Sequence, residues 1–299
     1  MGLKFIYTNS NGDALEFSDS SGVFINSIDG LSTNSITLTE SSSYDQVGST
    51  LTGTAIQPKD LSFEGHFKEN PQTRKSLLAV IRPDLSATLR YINTEADLDV
   101  YWEGYPSKTP VIDWSKNSQS FQFTFRASYP YAKKTIETVS KFYEAEGSVF
   151  FPRAFSETDG FMISTRKYNN LILVTNDGNT TSGFTFRAKC LRDDIASVRI
   201  KDQTSTDYIQ LSGFGGLFAT GDYIEIETTP NNVRVQGFNV KDGATTSFSM
   251  MKYLDLKSTF FLLDPGANNV ELLVLSNDSK DVTDGVEAYV DFNEVLVGV

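Results

Sequence analysis

One histidine, His66, and one cysteine, Cys190, occur in the 299 residues. Nucleophilic catalysis of the Ser–His or Cys–His kind needs the imidazole beside a nucleophile and an orienting acid. His66 instead lies in Lys59-Asp60-Leu61-Ser62-Phe63-Glu64-Gly65-His66-Phe67. Period-two alternation there puts Leu61, Phe63, Gly65 and Phe67 on one face and His66 on the polar one, where it reads as an inert surface side chain. A lone cysteine closes no intrachain disulfide, and together the two residues leave no His/Cys set for a transition metal. Three acidic stretches, Asp193-Asp194, Asn176-Asp177-Gly178 and Asn277-Asp278-Ser279-Lys280-Asp281, have oxygen ligands for calcium but lack the D-x-[DN]-x-[DN]-G…E series, and Lys280 opposes a cation. They read as turns. Ser212-Gly213-Phe214-Gly215-Gly216 fits neither G-x-G-x-x-G nor a phosphate loop, and no G-x-S-x-G elbow occurs.

Two carboxylates at the right separation suffice for glycoside hydrolysis, and 38 acidic residues supply many candidate pairs. Trp102, Tyr105 and Trp114 beside Glu103 and Asp113 make the most suggestive group, an aromatic sugar platform with an acid pair. The competing reading, core aromatics plus a solvated strand face, is preferred because large aromatics routinely fill such cores. The expectation is no catalytic residue, no cofactor and no metal.

The elements that would position these residues are almost all strands. Lys4–Thr8 and Ala14–Phe17 flank Asn-Gly and read as a hairpin. Strands follow at 23–28 and 59–67. Asn70-Pro71 opens a helix, with Asn as N-cap and Pro at the first helical position, carrying Leu77, Leu78 and Ile81 until Pro83 stops it. Further strands are expected at 87–92, 98–105 and 120–127, the last with Phe121, Phe123 and Phe125 on one side. Residues 31–56, rich in Ser, Thr and Gly, have two readings: a mobile surface loop, or an arm contacting a neighbouring subunit. Beyond about 140, strands at 171–175 and 183–190 flank the hairpin-like turn Asn176–Asn179. Those at 198–201, 208–211, 223–228, 233–236, 270–275 and 288–296 complete the pattern of an antiparallel sandwich.

Composition supports two folded domains. The length exceeds one typical domain, and 39% hydrophobic residues, with 22 Phe and 13 Tyr, suffice for real cores. Net charge is −12. Residues 1–140 hold 12 Lys/Arg against 16 Asp/Glu and residues 141–299 hold 14 against 22, so neither half presents a basic surface for nucleic acid. The N-terminus lacks a signal-peptide apolar core, and no apolar run is long enough to span a bilayer. Membrane partners are not expected. The change of character across residues 133–160 places the domain boundary near 140–150.

Gly221-Asp222-Tyr223-Ile224-Glu225-Ile226-Glu227-Thr228-Thr229-Pro230, followed by Leu262-Leu263-Asp264-Pro265-Gly266-Ala267-Asn268-Asn269-Val270, resembles the C-terminal domain of the distal tail protein (Dit) family of long-tailed bacteriophages. The order hairpin, strand, long loop, strand, capped helix, strands, closed by Phe121-x-Phe123-x-Phe125-x-Ala127 and Tyr129-Pro130-Tyr131, resembles the N-terminal domain of that family. The resemblance spans roughly residues 1–135 and 205–299. It implies a mostly all-β chain of two β-sandwich domains, the N-terminal one (1–140) ring-forming with one short helix, the C-terminal one (147–299) galectin-like.

The function it implies is that of a non-enzymatic virion protein, made in the host cytoplasm and assembled as a homohexameric hub at the distal end of the tail. The implied partners are further copies of itself, the tail tube protein, a tail-associated lysin or tail-tip protein, and fibre or receptor-binding proteins. On that reading the subunit interface includes Thr39, Tyr44, Thr50, Leu51 and Thr54. The alternative is a carbohydrate-binding adhesin whose C-terminal sandwich reads host wall glycans. An unrecognised hydrolase ranks third. The C-terminal half contains no Trp, which counts against a dedicated sugar cleft.

Overall fold

The alternations read from the sequence become two cores in the computed structural model, which describes residues 3–68, 70–113, 118–147 and 164–299. The chain divides into two units, Met1–Ile136 with Val295–Val299, and Glu137–Glu294.

In the first unit β1 (Leu3–Asn9) and β2 (Ala14–Phe17) form the expected hairpin, Phe5 opposite Phe17. The Asn9 side chain accepts the N–H groups of Asn11 and Asp13, both at 3.0 Å, and Gly12 supplies a φ of +87°. β3 (Val23–Asp29), β4 (Ile36–Ser41), β5 (Thr50–Ile56) and β6 (Lys59–Lys68) follow, then α1 (Pro71–Val80). Next come β7 (Ala87–Asn93), β8 (Leu98–Pro106), β9 (Val111–Asp113) and β10 (Ser118–Ala127). β11 (Ala132–Lys141) runs across the unit boundary. One layer has the order β2-β1-β7-β8, with β11 on β8; the other has β3-β6-β10, with β9 on β10.

Phe63 stacks on Phe123 at 4.8 Å within one layer and Phe5 on Tyr91 at 4.8 Å within the other, and Phe5 meets Phe63 edge-on at 5.4 Å between them. Gly65 interrupts the apolar face of β6 for a reason of space, since a Cβ there would lie 2.2 Å from the Phe24 carbonyl oxygen and 2.5 Å from the Phe121 ring. The helix starts where expected: the Asn70 side chain accepts the Gln72 N–H at 2.9 Å, with Pro71 in the first turn. It buries Leu77 and Val80 and ends with Ile81 at the C-cap, while Leu78, expected in the stripe, is 39% exposed.

In the second unit the remaining strands are β12 (Tyr143–Gly147), β13 (Ser164–Tyr168), β14 (Leu171–Asn176), β15 (Thr185–Cys190), β16 (Ile195–Asp202) and β17 (Tyr208–Ser212). They continue with β18 (Tyr223–Glu227), β19 (Arg234–Lys241), β20 (Ala244–Ser249), β21 (Gly266–Ser276) and β22 (Val286–Leu296). β22 enters the first unit only with its last two residues. One sheet has the order β14-β21-β16-β17 and the other β22-β15-β18-β19-β20. Phe184, Phe186, Ile224, Ile226, Val198, Leu272 and Val290 are among the side chains that fill the space between them.

Two expectations are corrected. β14 and β15 are not a hairpin: β14 pairs with β21 and β15 with β18 and β22, so Asn176–Asn179 turns the chain from one sheet to the other. Asn176, 1% exposed, holds that crossing by accepting the Gly178 N–H and donating to the Leu263 and Thr180 carbonyls. An Asx turn of this kind is local, and its residues look the same whether the next strand pairs with the last or crosses the core. Of the two readings of residues 31–56, the mobile loop is replaced by the paired strands β4 and β5, while an arm to a neighbouring subunit is a separate matter that this pairing leaves open. The expected domain limits, 140 and 147, fall within β11 and β12.

Candidate interaction surfaces

β4 and β5 pair with each other and, among the described residues, with no other strand. Ile36 faces Ile56 and Leu38 faces Thr54. A bulge after Thr39 then sets Leu51, not Thr52, opposite Glu40. Directly opposed residues of an antiparallel pair share a side, and a bulge re-aims the residues beyond it. Ile36, Leu38, Leu51, Thr54 and Ile56 therefore lie on one side of the ribbon, with the apolar members 58%, 56%, 54% and 48% exposed in the order Ile36, Leu38, Leu51, Ile56. Of the residues expected at a subunit interface, Leu51 and Thr54 lie on this face. Thr39 (opposite Gly53) and Thr50 (opposite Ser41) lie elsewhere on the ribbon. Tyr44 projects from the tip, as fully exposed as nearby Val47. The apolar partners Ile36, Leu38 and Ile56 were missed: Ile36-Thr37-Leu38-Thr39 alternates only briefly within a Ser/Thr-rich stretch, and the pairing register is what sets Ile56 and Leu51 on the same side.

The residues with chemical promise are mostly structural. His66 lies on the polar face of β6, where its Nδ1 is 2.7 Å from Asn26 Oδ1 and its ring stacks on Phe24. Trp102 is a core residue, 1% exposed, and Lys59 Nζ sits 5.8 Å from its ring. Tyr105 is half exposed, and Glu103 is paired with Lys133 at 2.8 Å. Asp113 is exposed, and Trp114 lies outside the described residues. The platform is thus not assembled from Trp102. Asp193 accepts the Thr220 N–H and hydroxyl, and Asp281 those of Thr283. Asp194 is held below the usual carboxylate range by its two bonds from Arg192. Among the described residues no three His, Cys, Asp or Glu side chains converge as metal ligands. Cys190 is fully buried, and burial, then Asp222 and Asp193 nearby, pushes its thiol up to about 12.

The two stretches that carried the resemblance are turn-locking devices. Gly221 has a φ of +100°, and Asp222, 4% exposed, accepts the N–H groups of Ala219 and Val240 and the side-chain amide of Asn239. Burial opposes its charge, but those bonds outweigh it and hold the carboxyl below its ordinary range. Asn268 does the same for the second: it accepts the Asp264 N–H and donates to the carbonyls of Asp264 and Gly266, across a turn in which Gly266 has a φ of +95°.

The outer face of β22-β15-β18-β19 has an ordered polar lattice. Neighbouring strands set three rows: Glu287, Lys189, Tyr223, Phe238; then Tyr289, Arg187, Glu225, Gln236; then Asp291, Thr185, Glu227, Arg234. At the centre Arg187 donates to Glu225 at 2.6 and 3.2 Å and to the Tyr289 hydroxyl at 2.7 Å. Its guanidinium carbon lies 5.3 Å from the Tyr223 ring and 5.7 Å from that of Tyr289. Beside it opens a cleft of about 390 Å³ lined by Tyr143, Lys189, Tyr223, Val240, Glu287 and Tyr289 among others. At the far end Asp291 lies close to Glu137, and burial, then that second carboxylate, raises its pKa to about 7. No sequence rule picks out this face, because its rows come from four strands and Tyr143 of the cleft from a fifth.

Residues 177–284 match the family model of the siphovirus-type tail component, C-terminal domain. No curated protein matches the chain by sequence. Among solved structures the chain is similar to the Dit protein (gp 19.1) of phage SPP1, a hub of the adsorption apparatus in phages that infect Gram-positive hosts. The TM-score is 0.62 and the identity 12%, over 97% of this chain and 98% of that one. It is also similar to a chain of the phage P2 baseplate in its activated conformation with Ca, with TM-score 0.54, 16% identity and full coverage of both chains. The same baseplate with Sr gives 0.51 and 13%, again over both whole chains. Residues 177–284 thus match the model of the siphovirus-type tail component, C-terminal domain, and the chain from end to end shares the mostly β fold of the Dit protein.

Proposed function

We propose that this protein is a structural hub of a phage tail, with no enzymatic role, in which copies of the first unit close into a homohexameric ring. The observation that carries the reading is the β4–β5 ribbon, which pairs with no other strand among the described residues and keeps an apolar face of Ile36, Leu38, Leu51 and Ile56 open. A ring needs a heterologous interface that returns on itself after a fixed number of copies. A ribbon reaching from each copy onto its neighbour meets that need. Full-length likeness to a hub protein and to baseplate chains supports the same assignment. On this reading residues 1–140 provide continuity between the tail tube and a tail-associated lysin or tail-tip protein. A galectin-like domain at 147–299 anchors fibres or receptor-binding proteins at the periphery. The protein is made in the host cytoplasm and works in the virion. Deleting residues 38–53 tests the ribbon: the chain should stay folded by circular dichroism and lose its rings in electron micrographs. Rings that persist would remove the ribbon from the interface.

A further inference from the structure

The cleft on the outer face of β22-β15-β18-β19 has features that a hub role does not use. Its volume is about 390 Å³, and Tyr143 of β12 is among the residues that line it. That size suits one or two sugar rings, within the roughly 300–1,000 Å³ of small-molecule sites. An extended peptide would instead be expected along a sheet edge or a long groove. Its walls combine flat rings, Tyr143, Tyr223 and Tyr289, with hydrogen-bonding groups held in place by one another. Arg187 is fixed by Glu225 and Tyr289, and Glu287 is ion-paired with Arg166, whose guanidinium also lies 5.8 Å from the Tyr143 ring. Fixed donors and acceptors alternating beside aromatic faces match the hydroxyls and C–H faces of a sugar, and tyrosine supplies here what the missing tryptophans do not.

The charge balance narrows the ligand. Glu225 and Glu287 are both matched by arginines. The Lys189 side chain is exposed and, among the described residues, has neither an ion pair nor a hydrogen bond, so a positive charge is left unmatched in this cleft of a chain whose net charge is −12. We propose that this cleft binds an acidic saccharide, one or two rings bearing a carboxylate or phosphate, with the rings against the tyrosines and the anion on Lys189. The inference does not rest on ring formation and stands or falls without it.

Ligand-observed NMR on the full chain, with glucuronic acid, glucose 6-phosphate, glucose and a tetraglutamate peptide as probes, tests it. At least one of the two acidic sugars should bind, and more tightly than glucose, and which of the two does so separates a carboxylate ligand from a phosphate one. Lys189→Ala should weaken the acidic sugar by about fivefold to tenfold, as loss of one partly solvated charge-assisted contact does, and leave glucose unchanged; Lys189→Arg should restore most of the binding. Tyr289→Phe, which keeps the ring and removes the hydroxyl that holds Arg187, should weaken both sugars. The proposal is overturned if neither acidic sugar binds, if glucose binds as tightly, or if Lys189→Ala binds like the unaltered chain. Tetraglutamate binding as tightly as the acidic sugar would assign the cleft to an acidic peptide instead.

Discussion

Replacing Leu38 and Leu51 together by aspartate should abolish assembly and leave the subunit folded. Ile36, Leu38, Leu51 and Ile56 keep between 48% and 58% of their surface exposed. Full burial of such a side chain stabilises by about 1.5–3 kcal/mol, so closing the exposed half yields about 1 kcal/mol each and about 4 kcal/mol for the whole face. The double change forfeits about half of that. It also places two carboxylates in an apolar contact, which adds at least about 1 kcal/mol of desolvation. A loss of about 3 kcal/mol per interface corresponds to at least a roughly hundredfold weaker contact, and every contact of the ring carries it. Within the subunit the same positions are exposed, where substitutions usually change stability by no more than about 0.5 kcal/mol. Light scattering behind size exclusion, over a range of concentrations, reads the assembly, and thermal unfolding reads the subunit. Unchanged mass with an unchanged melting temperature would refute the reasoning, because it would leave the exposed apolar face without a partner in the ring.

Asp222→Ala should destabilise the second unit by about 2–4 kcal/mol in denaturant titration, since it orphans two backbone N–H groups near a buried turn; Asp222→Asn should cost less. Because the folded-state pKa of Asp222 is depressed, its contribution is present above the ordinary carboxylate pKa and is lost as pH falls below it. Asp291 runs the other way: its folded pKa, raised to about 7, makes the folded state hold the proton more tightly, so stability is lost as pH rises from about 4 to about 7. Discounted for its partial exposure the effect is about 1–2 kcal/mol, and Asp291→Asn should remove that slope when unfolding midpoints at pH 5 and pH 8 are compared. Deleting Val295–Val299 should lower the melting temperature of the first unit. Leu296 and Val299 pack on its core, Ser32 donates to the Val299 carbonyl and Asn34 to that of Val297.

Strand existence was legible wherever one face is buried, because burial forces the period-two pattern: Leu61, Phe63 and Phe67 in β6, and Phe121, Phe123 and Phe125 in β10, could be placed on the core side directly. The helix was legible for a different reason, a cap and a proline that act within one turn. β11 was not read as a strand, since Ala132–Lys141 is largely exposed and carries no alternation. Partner choice was the weakest point. Asn176–Asn179 has the residues of a tight turn, and only the packing of two sheets decides that it crosses the core. The interaction surfaces depended on register in the same way. Leu51 joins Ile36 and Leu38 through a one-residue bulge, and the Tyr143–Lys189–Tyr223–Tyr289 cleft draws on strands far apart in the chain. Residues 148–163, part of the stretch read as a change of character, lie outside the described residues.

The most direct test of the central claim is the stoichiometry of the assembled protein, measured by mass photometry on the purified chain and by electron microscopy of tails that contain it. The account predicts six copies in a closed ring with the β4–β5 ribbon of each subunit on its neighbour. A protein that remains a monomer in solution and occurs as single copies in tails would contradict it.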